Sequence, residues 1–185
     1  HVIIETDKGC LIFNDPRRFG LLTYCESTHL RECSALKNIG PDPFDENLTA
    51  QYLYNQLQAH STPIKVAVLE QKIICGIGNI YASEALYRAK ISPFRPAKSL
   101  SLAECEKLLK SAREVLSNAI KAGGSTLRDY RKPDGSSGEF QNQHCVYNKT
   151  GQRCPECVCD IAKTGGIKKA VLGGRSAFYC ETLQK

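Results

Sequence analysis

The sequence has no apolar run approaching the ~18 residues that a membrane-spanning helix needs. No signal-peptide pattern opens it and no internal repeat runs through it. Methionine is absent altogether, and the chain enters a strand pattern directly from His1. A lone hairpin is marginal in water, so the sheet that holds these first residues is expected to be incomplete, with an N-terminal part missing. A second regular C-x-x-C knuckle is lacking too, because Cys180 is followed by Glu181, Thr182 and Leu183.

What is present describes a globular protein of 185 residues, 42% apolar and 24% charged, enough for one domain or two small ones. Of its ten cysteines, six (Cys10, Cys25, Cys33, Cys75, Cys105, Cys145) are scattered among apolar positions. There a reduced cysteine serves as a small hydrophobe, which points to a reducing, cytoplasmic setting. The net charge of +6 is uneven: residues 1–50 carry 5 basic and 8 acidic side chains, and residues 51–185 carry 20 and 11. A basic C-terminal two-thirds suits a polyanionic partner, although a solvated lysine-rich surface would read the same way.

Residues 1–24 read as strands: Val2-Ile3-Ile4, a turn at Asp7-Lys8-Gly9, Leu11-Ile12-Phe13, then Leu21, Leu22 and Tyr24 after a polar break. The Pro- and Asp-rich stretch 39–47 reads as a connector. From 48 to 122 the pattern is helical. Leu48, Tyr52, Leu53 and Leu57 recur at helical spacing, Pro63 opens a short apolar segment to Leu69, and a third helix is expected from Asn79 to about Arg88. Ser101 and Glu104 form a capping box before Cys105, Leu108, Leu109, Ala112, Leu116 and Ile120, and Gly123-Gly124 stops that helix. Residues 125–141 read as a loop turning at Pro133-Asp134-Gly135, and Gln143 to Tyr147 as a strand leading into the cysteine-rich tail.

Three constellations carry chemistry. In Gly76-Ile77-Gly78-Asn79, glycines before a helix let a phosphate approach exposed N–H groups, and Asn79 can cap the helix while offering its amide. A tight turn between helices is the competing reading. Arg17, Arg18 and Phe19 set two guanidinium groups beside an aromatic, as a loop inserted into a duplex requires; solvated arginines with Phe19 in a core would also account for them. The tail from Cys154 to Lys185 has Cys154, Cys157, Cys159 and Cys180 around a loop carrying Lys163, Lys168, Lys169 and Arg175. So short a segment cannot bury enough apolar surface to fold alone, which suggests a metal-stapled ribbon. Cys157 and Cys159 can share one face of an extended segment, giving four thiolates. Three thiolates completed by water or Glu181, or no metal at all, remain open.

The order of these pieces resembles one family. DPRRFG at 15–20, IGPDP at 39–43, QKIICGIGNIYASEAL at 71–86, SLSLAE at 99–104, GGSTLRDY at 123–130, VYNKTGQRC at 146–154 and GRSAFYC at 174–180 are all similar to the formamidopyrimidine-DNA glycosylases. The resemblance implies an α+β fold. Residues 1–38 would be the remnant of an N-terminal β-sandwich domain and 39–47 a linker. Residues 48–141 would form a helix–two-turn–helix DNA-binding domain with a lesion-covering loop, and 142–185 a zinc-ribbon-like β-hairpin.

It also implies double-stranded damaged DNA as partner to a monomer, with contacts at Arg17, Arg18, Phe19, Lys72, Asn79, Tyr81, Arg128 and Arg175. Phe19 would wedge into the duplex, Arg17 would meet the orphaned base, and Lys72, Asn79 and Arg175 would hold phosphates. Ser125, Thr126, Leu127, Arg128, Asp129 and Tyr130 would cover an extruded oxidised purine, and one zinc ion would sit among Cys154, Cys157, Cys159 and Cys180. The implied activity is bifunctional base excision, glycosylase and abasic-site lyase, by an N-terminal proline amine beside a glutamate. Neither residue is in this chain, so no catalytic residue is assigned and the polypeptide alone is expected to be inactive. A truncated DNA-binding protein without chemistry, or the sister branch for oxidised pyrimidines, are the alternatives.

Overall fold

A computed structural model describes residues 2–15, 18–127, 130, 132 and 134–185, the Arg31 side chain excepted. The chain divides into two units, residues 1–38 and 39–185.

The first unit is built on an antiparallel hairpin of β1 (Val2–Thr6) and β2 (Gly9–Phe13), with Val2 opposite Phe13 and Thr6 opposite Gly9. Thr6 closes the turn by donating its hydroxyl to the Gly9 carbonyl at 2.8 Å. Ile3, Ile4, Leu11 and Ile12 are all exposed, so the pair buries neither face. The strand expected at 21–24 does not form: Leu21, Leu22 and Tyr24 lie in exposed irregular chain. A strand must hand its backbone groups to a neighbour, and no ladder partner for this stretch exists among the described residues. A 3₁₀ segment at Ser27–Glu32 follows.

The second unit is helical at its centre. Thr49 caps α1 (Ala50–Leu57) by accepting the Tyr52 N–H, and Leu53 and Leu57 turn inward. Pro63 precedes the single turn α2 (Ile64–Ala67). Next comes α3 (Asn79–Ala89), whose last turn ends at Lys90 in the left-handed region. The expected capping box is present at α4 (Leu102–Lys121): Ser101 Oγ accepts the Glu104 N–H, and the Glu104 carboxylate accepts the Ser101 N–H. Helices α1 and α3 pack on the apolar stripe of α4, and Leu53, Leu57, Ile64, Leu86, Leu100 and Cys105 are among its buried members.

The connector before α1 is tied down rather than loose. Arg113 on α4 donates to the carbonyls of Pro43, Asp45 and Leu48 at 2.6, 3.2 and 2.8 Å. Gly40 is required where this connector crosses the chain near Lys72, since a Cβ there would stand 2.5 Å from the Lys72 carbonyl oxygen.

After a short α5 (Ile161–Thr164), capped by Asp160, the chain forms a second antiparallel hairpin of β3 (Lys168–Leu172) and β4 (Arg175–Tyr179). Tyr87 of α3 joins the buried cluster of Val146, Cys154, Ile167, Phe178 and Cys180, so the hairpin shares a core with the helices. The fold is α+β. Two expectations need correction. Residues 143–147 form no strand: Gln143 ends a 3₁₀ segment (Phe140–Gln143), and the N–H groups of Cys145, Val146 and Tyr147 all go to the Glu84 carboxylate. Of the six scattered cysteines only Cys105 is buried; Cys10 is exposed and the rest are half-buried, so the small-hydrophobe reading holds for one.

Candidate nucleic-acid interface and metal site

Three elements of the second unit converge where the glycine-rich turn meets α3. The turn is shaped by Gln71, whose Oε1 accepts the Gly76 N–H at 2.9 Å and whose amide donates to the Ile77 carbonyl at 3.2 Å. Gly78, in extended conformation, is the N-cap, and Asn79 is the first helical residue. Asn79 was expected to cap, but its side chain is engaged elsewhere. Its Oδ1 accepts from the Lys65 ammonium and its Nδ2 donates to Tyr147 Oη at 3.4 Å. The first N–H groups of a helix have no intrahelical acceptor, and the helix dipole adds positive potential there.

Lys65 sits on α2, only 1% exposed, and its ammonium also donates to the Ser176 carbonyl on β4 at 3.1 Å. One buried cation thus joins α2, the start of α3 and the hairpin. Burial, with Arg175 nearby, lowers its pKa to about 8. The hairpin turn at Gly173-Gly174 rests on α2, and a Cβ on Gly173 would lie 3.1 Å from Val66 Cγ2. Both glycines have positive φ, the turn geometry that leaves exposed Arg175 directly after it. Lys72 is exposed on the segment leading into the glycine turn. Lys65 therefore brings the α3 N-terminus and Arg175, two sources of positive potential, to one rim.

Sequence reasoning missed Lys65, Gln71 and Glu84. Glu84 is 1% exposed, and its three backbone donors, at 2.8 to 3.0 Å, fix the residue that meets Asn79, Tyr147. The available signal was a charged side chain on the otherwise apolar face of α3. Tyr81, expected to touch DNA, lies on Phe140 with ring centroids 5.9 Å apart.

The base of the 125–139 loop is pinned. Ser125 Oγ lies 3.2 Å from Nε2 of buried His144, whose burial holds its pKa below the usual imidazole value. Thr126 donates its N–H to Gln141 and its hydroxyl to the Tyr130 carbonyl, and accepts the Gly138 N–H. Leu127 and Tyr130 are about half exposed, and beside them a cavity of about 330 Å³ opens between Tyr81, Leu116, Ile120, Gly124 and Tyr130. Arg128 and Asp129 lie outside the described residues, as do Arg17 and Pro16. In the first unit, Arg18 takes a positive φ of 58° and Phe19 is 83% exposed. Asp15 accepts the Gly20 N–H.

In the tail, the sulfurs of Cys154, Cys157 and Cys180 lie within 4.8 Å of one another. Cys157 Sγ is 3.6 Å from Cys180 Sγ, close to the ~3.8 Å edge of a tetrahedron of thiolates ~2.3 Å from zinc. Cys159 Sγ is 2.7 Å from Cys157 Sγ. Tyr87 Oη reaches Cys154 Sγ at 3.2 Å, the sort of outer partner that orients a metal ligand. The donor set fits a thiophilic divalent ion.

Fold and site together define a helix–two-turn–helix protein with a cysteine-clustered hairpin docked on its third helix. Residues 39–131 match the family description "Formamidopyrimidine-DNA glycosylase H2TH domain". The formamidopyrimidine-DNA glycosylase of Rhodospirillum rubrum is 48% identical over 186 residues, covering 100% of this chain and 66% of that protein. The one from Zymomonas mobilis is 43% identical with the same coverage. Among solved structures, the MutM (Fpg) protein of Thermus thermophilus aligns with a TM-score of 0.86 at 40% identity, over 98% of this chain and 67% of that one. The Lactococcus lactis Fpg in complex with abasic-site DNA aligns at 0.85 and 33% identity, over 99% and 65%. The chain belongs to the formamidopyrimidine-DNA glycosylase family. It spans about two thirds of the length of the curated relatives it matches.

Proposed function

We propose that this chain is the DNA-gripping part of a base-excision repair enzyme, a bifunctional glycosylase and abasic-site lyase for oxidised purines. The observation that carries the reading is the joint anchoring of the α3 N-terminus and the hairpin by buried Lys65. That arrangement holds Asn79, Arg175 and free helix N–H groups at one fixed spacing, as a rigid phosphate clamp requires. The Lactococcus lactis relative was solved on abasic-site DNA and a variant of it on Fapy-dG DNA, which supports the same ligand class here.

In this reading Lys72, Asn79 and Arg175 hold phosphates around an extruded nucleotide. Phe19, with Arg17 and Arg18, fills the space left in the duplex. The loop of residues 125–130 closes over the damaged base, with Arg128 among its contacts. Extrusion is needed because chemistry at the sugar carbon cannot occur inside a stacked duplex. The hairpin is a zinc ribbon that presents Arg175, and the protein acts as a monomer. Residues 1–38 belong to the catalytic domain, 48–141 to the helix–two-turn–helix domain and 142–185 to the ribbon.

The test is a salt titration of affinity for a duplex containing an abasic-site analogue. Log K falls linearly with log salt, and Lys72→Ala and Arg175→Ala each reduce the slope by about 1. A flat plot, or variants with the parent slope, overturns the clamp.

A further inference from the structure

We propose that Cys159 is the fourth thiolate of the metal site, standing in for the ligand that position 183 cannot supply. The inference rests on the metal-stapled ribbon of the proposed function and names its ligand set. A ribbon of two regular knuckles takes two thiolates from each loop. Here the second loop offers Cys180 alone, and Leu183 packs its apolar side chain against the cysteine cluster. The loop cannot rearrange cheaply to offer another group. Buried Gln184 accepts the Cys180 N–H at 2.8 Å and donates to the Ile91 carbonyl at 2.8 Å, locking the turn that aims Leu183 inward.

The first loop compensates. Val158 is 97% exposed while Cys157 and Cys159 are half-buried, so the backbone alternates and presents both thiols to the same interior. Cys159 has Thr182 of the second loop beside it and lies 2.7 Å from Cys157. That separation is shorter than a tetrahedral edge of ~3.8 Å, and Cys159 lies outside the group of Cys154, Cys157 and Cys180 whose sulfurs are within 4.8 Å of one another, so ligation needs the Cys159 side chain to rotate away from Cys157 and toward the other two. The result is a three-plus-one site, with Cys154, Cys157 and Cys159 from one loop and Cys180 from the other. It has a consequence for the fold: the first loop, including exposed Val158, becomes part of the metal shell rather than a free connector.

The experiment uses the full 185-residue chain with zinc, and with cobalt(II) as spectroscopic probe. Native mass spectrometry is expected to show one zinc per chain, and alkylation mapped by mass to show Cys159 protected with zinc and labelled after chelation. Sulfur-to-cobalt charge-transfer intensity should match four thiolates and fall by about a quarter in Cys159→Ser, as one of four tetrahedral donors is lost. Zinc affinity should fall at least as far as the ~10–100-fold that loss of an outer partner costs. Cys159→Ser with Leu183→Cys should regain the four-thiolate spectrum, and Cys145→Ser, a nearby cysteine outside the site, should keep it. A parent that retains no zinc overturns the metal reading itself. A parent that holds zinc with Cys159 still alkylated, or with only three thiolates on cobalt, overturns the role of Cys159 alone; both measurements are made on the parent and stand even if Cys159→Ser does not fold.

Discussion

Replacing Glu84 should damage the second unit by an amount the hydrogen bonds dictate. Its carboxylate is 1% exposed and accepts three backbone N–H groups: Oε2 from Cys145, and Oε1 from Val146 and Tyr147. Glu84→Gln keeps one oxygen, which can still serve Val146 and Tyr147, but turns an NH₂ group toward the Cys145 N–H. One charge-assisted bond becomes a donor–donor clash, costing ~2–3 kcal/mol. Glu84→Ala strands all three donors, and with partial entry of water the cost is ~4 kcal/mol rather than the full sum. For a unit of this size those figures lower the melting temperature by roughly 4–12 °C and 8–16 °C. The assay is thermal unfolding followed by circular dichroism, with amide exchange at Cys145, Val146 and Tyr147 as the local readout. If Gln and Ala melt together within a degree of the parent, the three-bond reading of Glu84 is wrong.

Two further outcomes follow from ionised groups. The Glu104 pKa is lowered from 4.5 to about 2, first by the paired Arg95 guanidinium and further by the Ser101 N–H and hydroxyl. Its contribution is complete above about pH 4.5 and is lost as pH falls toward 2. The ceiling is about 3 kcal/mol, and solvent at both side chains brings it to ~1–2 kcal/mol. Urea unfolding of Arg95→Gln should therefore approach the parent at pH 2–3 and fall short of it at pH 7; an equal gap at both pH values rejects the pairing. For Lys65, pKa about 8 folded against 10.5 unfolded, the unfolded chain binds more protons between those values, so parent stability rises with pH from 8 to 10.5. Lys65→Met should lack that rise and bind DNA more weakly at pH 7, because Asn79 and the hairpin lose their shared anchor; a persisting rise assigns the titration to another group.

Much of the second unit was legible because its signals are local. The Ser101–Glu104 capping box and the apolar spacing of α4 both concern residues within a few turns of each other, and the helix appeared where they placed it. The strands expected at 21–24 and 143–147 failed for a non-local reason. An apolar or aromatic run shows that a segment can extend, but which group accepts its N–H protons is decided elsewhere in the chain. For residues 145–147 the acceptor is a carboxylate about sixty positions earlier, and no periodicity in the segment itself could reveal it.

The same distinction divides the site. Gly76 and Gly78 were readable as a turn before a helix because glycine there states its geometry in one dimension, whereas the role expected of Arg175 came from the family resemblance. Lys65 was not readable, since in Pro63-Ile64-Lys65-Val66-Ala67 it looks like a solvated break in an apolar segment. Its position shows why that reading fails. A lysine fully removed from water needs acceptors to offset its desolvation, and these are Asn79 at the start of α3 and the Ser176 carbonyl on β4. Both acceptors lie next to groups that face solvent with positive charge, the α3 N-terminus and Arg175. Burial lowers the Lys65 pKa first, and repulsion from the nearby Arg175 charge lowers it further. An anion at the rim relieves that repulsion without requiring either residue to move. In the proposed clamp a phosphate therefore offsets a repulsion that the free protein carries.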